Sequence, residues 1–529
     1  MVKAVDGAVR TREKPPKVAT EGAGGKKAVP AKTSFVFDLS TSARWSGVAV
    51  GIVRVERELA RRAVDHLGKQ VKFCVYDPHT KLFRLISHKS AMAIVDGRLQ
   101  LDFTSTAETK RLAALELRIQ LRAHLLRRPR MFMLVQRLLG RRKVSLAEIL
   151  AMRAACGEPS MTWRQIGREA LLRQARLYQA VQWLRGRSLS LAQITQIRVE
   201  EARQRAEAVP VPRTTVADAT IGNVVLNPNT VIISGGLDWE YKDMRAIYAL
   251  KARSKFRYAA VIYDLIPLKY PHYVVPHYVS LLTDYFGELF WTADVGMCIS
   301  KKTQEDALDY CAENGLTPPA MSHFPLGGDL PATEVKAELP SELEGKRYAI
   351  FVSTIEPRKN HRALYEAWNH GVRNGLIDVE SCRLVFVGRP GWNTSELMSE
   401  IQINPNTKNS IVVLQGVSDE LLGALYRGAT FGLFPSHYEG YGLPLAEMLS
   451  HGLPCIVSPA GSLPEVGQSL VVYKDPIDIL GWAEAMAQFF ADSEALAVHR
   501  DVIRDRYQPT TWGDAAQMFF DRLATVVQA

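Results

Sequence analysis

Two glutamates eight positions apart, Glu439 and Glu447, enclose a glycine-bearing turn in the stretch EGYGLPLAEMLSHG, and the chain returns to glycine at Gly461 and Gly467 soon after. A carboxylate accepts paired hydrogen bonds from vicinal hydroxyls, as on a ribose or a hexose. Gly440 and Gly442 allow close approach of the backbone to a ligand. Pro444 suits the first turn of a helix, whose free amides and dipole favour a phosphate. A nucleotide sugar carries all three kinds of group. Taken singly, Glu439 could be a solvated loop acid and Glu447 a favourable first-turn charge; their combination with the glycines is far harder to reach by chance.

The elements that must position these residues are strands alternating with helices. Ahead of Glu439, TFGLFP reads as a strand, one of a series with RYAIFVSTI, CRLVFVG, SIVVLQG, PCIVSP and SLVVYK. An earlier series runs through SFVFDL, KQVKFCVYD, KLFRLI, TVIISGG, YAAVIYDLIP, DVGMCIS and MSHFPLG, with the amphipathic helix IVRVERELARRAVDHL after the first strand. Such alternation implies parallel, doubly wound sheets. The fold class expected is therefore α/β, with two Rossmann-like domains joined near the acidic, proline-bearing linker of residues 329–346. Ligands of such sheets bind at the carboxyl ends of the strands, so the cleft between the domains is the expected site. The divisions expected are a disordered tail over 1–32, a first domain over 33–332, a second, nucleotide-sugar-binding domain over 345–507, and a helix over 508–529, which resemblance to a known two-domain fold implies crosses back to the first.

Length agrees, since 529 residues exceed a single core. With 47% hydrophobic and 23% charged residues and no apolar run long enough for a membrane span, a soluble protein is expected. The first thirty residues lack the apolar core of a signal peptide, which points to the cytoplasm. Six separated cysteines, Cys74, Cys156, Cys298, Cys311, Cys382 and Cys455, form no C-x-x-C pair, so neither disulfides nor structural zinc is expected. The net charge of +11 is concentrated: between Glu108 and Arg205 stand 21 Lys plus Arg against 7 Glu and no Asp. Aromatics are few there and no nucleic-acid recognition motif appears, so nucleic acid is the lesser reading.

The E-x7-E pair, together with VSTIEPRKNHRALYEAW, LVFVGRPGW and VVLQGVSDELLGALYRGAT, resembles the donor-binding domain of glycosyltransferase family 4, the retaining enzymes of GT-B fold. FDLS, GIVRVERELA, VIYDLIPLKYP, CISKKTQEDAL and FPLGGD resemble its bacterial polysaccharide mannosyltransferase branch. The resemblance implies that Glu439 contacts the donor hexose, Glu447 the ribose diol, and Gly440, Tyr441, Gly442 and Leu443 the sugar and diphosphate. Gly416 and Val417 fall in the same donor-side motifs. Lys359 and Arg358 stand where the family neutralises the leaving diphosphate, although without that context they read as a solvated turn before a helix. Gly47 and Gly51 match the flexible turn beside the donor phosphates. Two positions depart from the wider family: Ser353 replaces an arginine six residues before the lysine, and Tyr263-Asp264 replaces histidine-aspartate. Asp264 could orient an acceptor hydroxyl or merely cap the turn before Pro267.

The resemblance implies a retaining hexosyltransferase that takes mannose from GDP-mannose to a lipid-linked or growing saccharide, with UDP- or dTDP-sugars as alternative donors. No cofactor is expected, and the absence of D-x-D, the metal-holding pair of the other major glycosyltransferase fold, argues against a metal. Phosphorylases of the same fold need a pyridoxal lysine and a longer chain. The basic segment of about 105–210 matches no part of the family pattern. It reads as helices, and in one of them Met131, Phe132, Met133, Leu134, Val135, Leu138 and Leu139 lead into Arg141, Arg142 and Lys143, an apolar face bordered by cations as in helices lying on anionic bilayers. An anionic membrane surface is thus an expected partner, placing the protein at the inner face of the plasma membrane; packing against other helices or a second subunit is the alternative.

Overall fold

A computed structural model describes residues 33–45, 51–68, 70–103, 211–330 and 337–528. The tail over 1–32, Gly47 and the basic segment at 105–210 lie outside the described residues.

Apolar runs too short for helices become the buried central strands. The first sheet contains β1 (Ser34–Asp38), β2 (Lys72–Asp77), β3 (Leu82–Ile86), β6 (Thr220–Asn223), β7 (Thr230–Ser234), β8 (Arg257–Ile262), β9 (Val295–Cys298) and β10 (Ala320–His323), in the order β10-β9-β8-β7-β1-β2-β3-β6. From β10 to β2 neighbours are parallel, with Phe37 level with Ile233 on one side and Phe73 on the other. The expectation of a wholly parallel sheet fails at its edge: β2 pairs β3 antiparallel, and β3 pairs β6 antiparallel. The cause is local. Only Pro78 to Lys81 separate β2 from β3, Asp77 accepts from the His79 amide at 3.0 Å and the Thr80 hydroxyl at 2.8 Å, and Lys81 has φ 56°. A turn this tight reverses the chain, whereas a parallel neighbour needs a crossover of a dozen residues or so. A separate small ribbon pairs β4 (Gln100–Asp102) with β5 (Arg213–Thr215) in parallel.

The second sheet is parallel throughout, in the order β13-β12-β11-β14-β15-β16: β11 (Arg347–Val352), β12 (Cys382–Val387), β13 (Ile411–Leu414), β14 (Phe431–Phe434), β15 (Cys455–Val457) and β16 (Val472–Tyr473). Its core gathers Trp368, Tyr348, Phe351, Phe386, Tyr426 and Trp482. The helices that matter to the cleft are α1 (Ile52–Leu67) and α2 (Lys301–Glu313) in the first unit, and α3 (His361–Arg373), α4 (Asp419–Gly428) and α5 (Leu443–Ser450) in the second. The last helix, α6 (Trp512–Gln528), follows the second unit yet packs on α1 and β10, with Trp512, Phe519, Phe520 and Leu523 in the core of the first. Two doubly wound units with their strand ends facing one cleft constitute the GT-B architecture.

Among the described residues no helix is long and apolar enough to cross a membrane. No cluster of three or more His, Cys, Asp or Glu there could hold a metal, and five cysteines are buried and unpaired.

Candidate active site

Strand β14 delivers the chain to the cleft, and the loop after it is shaped by glycines whose side chains would collide with backbone. A Cβ on Gly440 would lie 2.5 Å from the Tyr263 carbonyl oxygen and 3.0 Å from the Asp264 Cβ. Gly442, with φ +96°, turns the chain into α5. The return to Gly461 now has a reason: at φ +61° it passes beneath Glu439, where a Cβ would come within 2.3 Å of the Glu439 carbonyl, which accepts from the Ser462 amide and hydroxyl, both at 3.1 Å. At the start of α5, Pro444 has no N–H and Leu445 donates to the Gly442 carbonyl at 2.9 Å. The helix start therefore presents to a phosphate chiefly the amides of Gly442 and Leu443.

Glu439 is buried and held by cations. Lys359 Nζ lies 2.6 Å from one carboxylate oxygen and Arg358 Nη1 3.0 Å from the other. Arg358 also donates to the Tyr438 carbonyl at 2.7 Å and pairs with Glu356 at 3.0 Å. Both cations occupy a single 3-10 turn, Pro357–Lys359, closed by Asn360 in the left-handed region; the Asn360 amide ties that turn to the Pro435 and Pro476 carbonyls at 3.1 and 2.7 Å. This is not a solvated turn. Burial alone would raise the Glu439 pKa, but Lys359 and Arg358 outweigh it and hold the carboxyl at about 2. Burial, with Arg358 alongside, lowers the Lys359 pKa against the pull of Glu439. Arg358 is pushed above its usual range, because Glu439, Glu356 and Asp264 together overcome its burial.

Asp264 caps its turn and borders the cation group. It accepts from the Ile266 amide at 3.1 Å, the turn-capping role, and it faces the Arg358–Glu439 group across the Gly440 contact. Burial raises its pKa, with Arg358 opposing.

Glu447 projects from α5, buried, one helical turn in. Its Oε1 lies 3.0 Å from Arg54 Nη1 and its Oε2 accepts from the Tyr426 hydroxyl at 2.8 Å. The same arginine reaches Asp419 at 2.6 Å. Burial pushes Glu447 up to about 7 despite Arg54 and Tyr426. Gly416, at φ +66° and exposed, and Val417 lead into α4, whose first residue is that Asp419, so they border the Glu447 end of the cleft. Tyr441 donates to the Leu326 carbonyl of the first unit at 2.9 Å.

Two expected positions stand apart from this group. Ser353 follows β11, donating its amide to the Val387 carbonyl at 3.0 Å and its hydroxyl to the Thr354 carbonyl at 3.3 Å. Gly51 precedes α1 at φ +52° with open space where a Cβ would be. Gly47 is outside the described residues.

Several contacts across the cleft carry no local sequence signal. Glu465 accepts the Lys301 and Lys302 amides at the start of α2, at 2.9 and 2.7 Å. The Thr303 hydroxyl lies 3.2 Å from the Gly440 carbonyl, and Tyr438 donates to Asp306 at 2.6 Å. Tyr273 stacks on His437 at 4.9 Å between centroids with planes 9° apart. Arg54, Tyr426 and Asp419 belong to motifs visible in the sequence, but nothing there pairs them with Glu447.

Two doubly wound units thus meet at a cleft of GT-B architecture that gathers paired acids, paired cations and a glycine-led helix start. Residues 335–504 match the family described as Glycosyl transferases group 1. That match covers the second unit, and the mannosyltransferases to which the chain is similar each align with part of it. It is 28% identical over 291 residues to the serotype-specific mannosyltransferase WbdA of Escherichia coli, covering 51% of this chain and 34% of the relative. It is 35% identical over 141 residues to the O-antigen chain mannosyltransferase B of Escherichia coli, covering 26% and 35%. The chain thus spans about a third of the length of these curated relatives. Among solved structures it is similar, at 15% identity and a TM-score of 0.42, to a UDP-forming alpha,alpha-trehalose-phosphate synthase from Burkholderia xenovorans, over 57% of this chain and 75% of that one.

Proposed function

We propose that the protein is a retaining hexosyltransferase that moves mannose from GDP-mannose to a saccharide acceptor, lipid-linked or growing, in cell-surface polysaccharide synthesis. The observation that carries the reading is the Glu439–Lys359–Arg358 group set beside the Gly442–Leu443 helix start, one helical turn from Glu447. Mannose as the sugar is supported by the names of the relatives.

In this reading the donor's ribose diol bonds to Glu447, and its diphosphate meets the Gly442 and Leu443 amides. Lys359 and Arg358 stabilise the charge that grows on the leaving diphosphate as the glycosidic bond breaks. Without ligand those cations are balanced by Glu439 and Glu356, so an arriving diphosphate competes with Glu439 for Lys359, which has two further N–H donors to offer. Glu439, held ionised, faces the sugar. No group in these motifs is placed as a nucleophile for double displacement, which favours a front-face route: the departing phosphate oxygen takes the acceptor proton on the side from which the acceptor oxygen attacks. Asp264 orients the acceptor hydroxyl. No metal or cofactor is required in this scheme.

The test is transfer from GDP-mannose to mannosylated lipid acceptors, with the anomeric configuration of the product read by NMR. An α-linked product supports the reading and a β-linked one refutes retention. The 21 Lys plus Arg within residues 108–205 extend the proposal to an anionic membrane surface, where a lipid-linked acceptor would reside.

A further inference from the structure

We infer that Arg54, presented across the cleft by the first unit, is a positioning residue for the ribose-binding carboxylate of Glu447, so that the nucleotide end of the donor site is complete only when the two units meet. The inference rests on the reading of Glu447 as the ribose acceptor.

Arg54 lies in the first turn of α1, and Glu447 and Asp419 stand on two different helices of the other unit, α5 and α4. Its guanidinium spans them, Nη1 to Glu447 at 3.0 Å and Nη2 to Asp419 at 2.6 Å, and the residue is only 9% exposed. A planar fork gripping two carboxylates at once fixes the rotation of each, which a lysine's single charge does not. The Tyr426 hydroxyl holds the second Glu447 oxygen at 2.8 Å. Each oxygen of Glu447 therefore gives one lone pair to a protein donor and keeps another for a ligand, the arrangement that a pair of vicinal hydroxyls needs. Burial disfavours the charge on Glu447, and Arg54 is the cation that opposes that effect. The arginine thus orients the acid and favours its ionised form. Because it comes from the other unit, nucleotide affinity and closure of the cleft become one event.

A plain clamp between the units would make the same contacts, and the two roles separate on the ligand's hydroxyls. Calorimetry on the full chain compares GDP with 2′,3′-dideoxy-GDP, and UDP with 2′,3′-dideoxy-UDP, using whichever base binds, for the wild type and for Glu447→Gln, Arg54→Met and Arg54→Lys. Hydrogen bonds to a charged group imply a wild-type preference for the ribonucleotide of roughly 10- to 100-fold. Glu447→Gln is expected to erase most of it. Arg54→Met is expected to erase it as well while leaving the dideoxy form bound within a few-fold, and Arg54→Lys to fall between. If neither base binds, if the wild type shows no preference, or if Glu447→Gln keeps it, the ribose reading fails and the inference with it. If Glu447→Gln loses the preference but Arg54→Met keeps it, or weakens both forms of the nucleotide equally, the ribose reading stands and the inference is overturned. Should Arg54→Met not fold, Arg54→Lys decides by the same ratio: a reduced preference supports the inference and an unchanged one overturns it.

Discussion

At the scale of residues, the proposed function sets Glu439 at the reacting sugar, Lys359 and Arg358 at the leaving diphosphate, and Glu447 at a part of the donor that does not react. Glu439→Gln is expected to lower kcat by roughly 100- to 1,000-fold, the range for loss of one preorganised electrostatic partner, with donor affinity within a few-fold. Glu447→Ala is expected instead to weaken donor binding in calorimetry, and Lys359→Ala to weaken binding and lower kcat as well; unchanged affinity in Glu447→Ala would remove it from the site. The two acids also have opposite pH signatures. Glu439 has a depressed pKa, so its contribution to stability is fully present above the usual carboxyl value and is lost as pH falls toward about 2. Glu447 has a raised pKa, so its contribution is present below that value and is lost as pH rises through about 7. Arg54, Tyr426 and Asp419 face its carboxyl, and His451 contacts its carbonyl. Since the ionised acid is the form that accepts from a diol, donor affinity should strengthen between pH 6 and 8. Titration calorimetry at several pH values checks this, and Glu447→Gln should flatten the trend. The acids were legible in the sequence because their spacing brackets a turn and a helix start. Arg54 was not, since it lies 393 positions from Glu447 and nothing distinguishes it from the other arginines of α1.

At the scale of elements, the loop between β14 and α5 is held as much by the first unit as by the second. Tyr438, Gly440 and Tyr441 contact Asp306, Tyr263 and Leu326 in turn. Gly440→Ala would place a methyl 2.5 Å from a backbone oxygen of the other unit. Backbone cannot yield as a flexible side chain would, so the units must separate or the loop must shift. The expected result is a kcat/KM at least tenfold lower, since misplacement of reacting groups by an ångström or so is costly, with little change in the melting temperature. Wild-type activity in this variant would show that the Gly440 contact does not matter. The strands of the second unit, though not their order, followed from apolar runs bounded by glycine and proline. The antiparallel edge of the first sheet did not, because an apolar run does not declare its direction and the Asp77–Lys81 turn has no Asn-Gly or Asp-Gly signal.

At the scale of the whole molecule, α6 joins the units a second time, so any change in their separation must be accommodated at two crossings. Relative motion of this kind is what would couple donor binding to closure. The basic segment attached to the first unit is expected to carry the protein to anionic liposomes but not neutral ones. Salt should weaken this binding, and replacing the cations of residues 127–143 with glutamine should abolish it; sedimentation measures each, and equal partitioning to both liposome types, or to neither, would refute it. Charge density made that segment visible in the sequence, but a run of cations does not specify what it faces. The identity of the sugar is illegible for a related reason, since the features that the proposal has Glu439, Glu447 and the cations recognise are common to many nucleotide sugars. The most direct measurement is therefore calorimetry with GDP-mannose, UDP-glucose, UDP-galactose and dTDP-rhamnose on the wild type and Glu447→Ala. Binding of GDP-mannose in preference to the other three, lost in the variant, is the expected result. Binding of none of them, or equal binding of GDP-mannose by both proteins, would contradict the assignment of this cleft as a donor site.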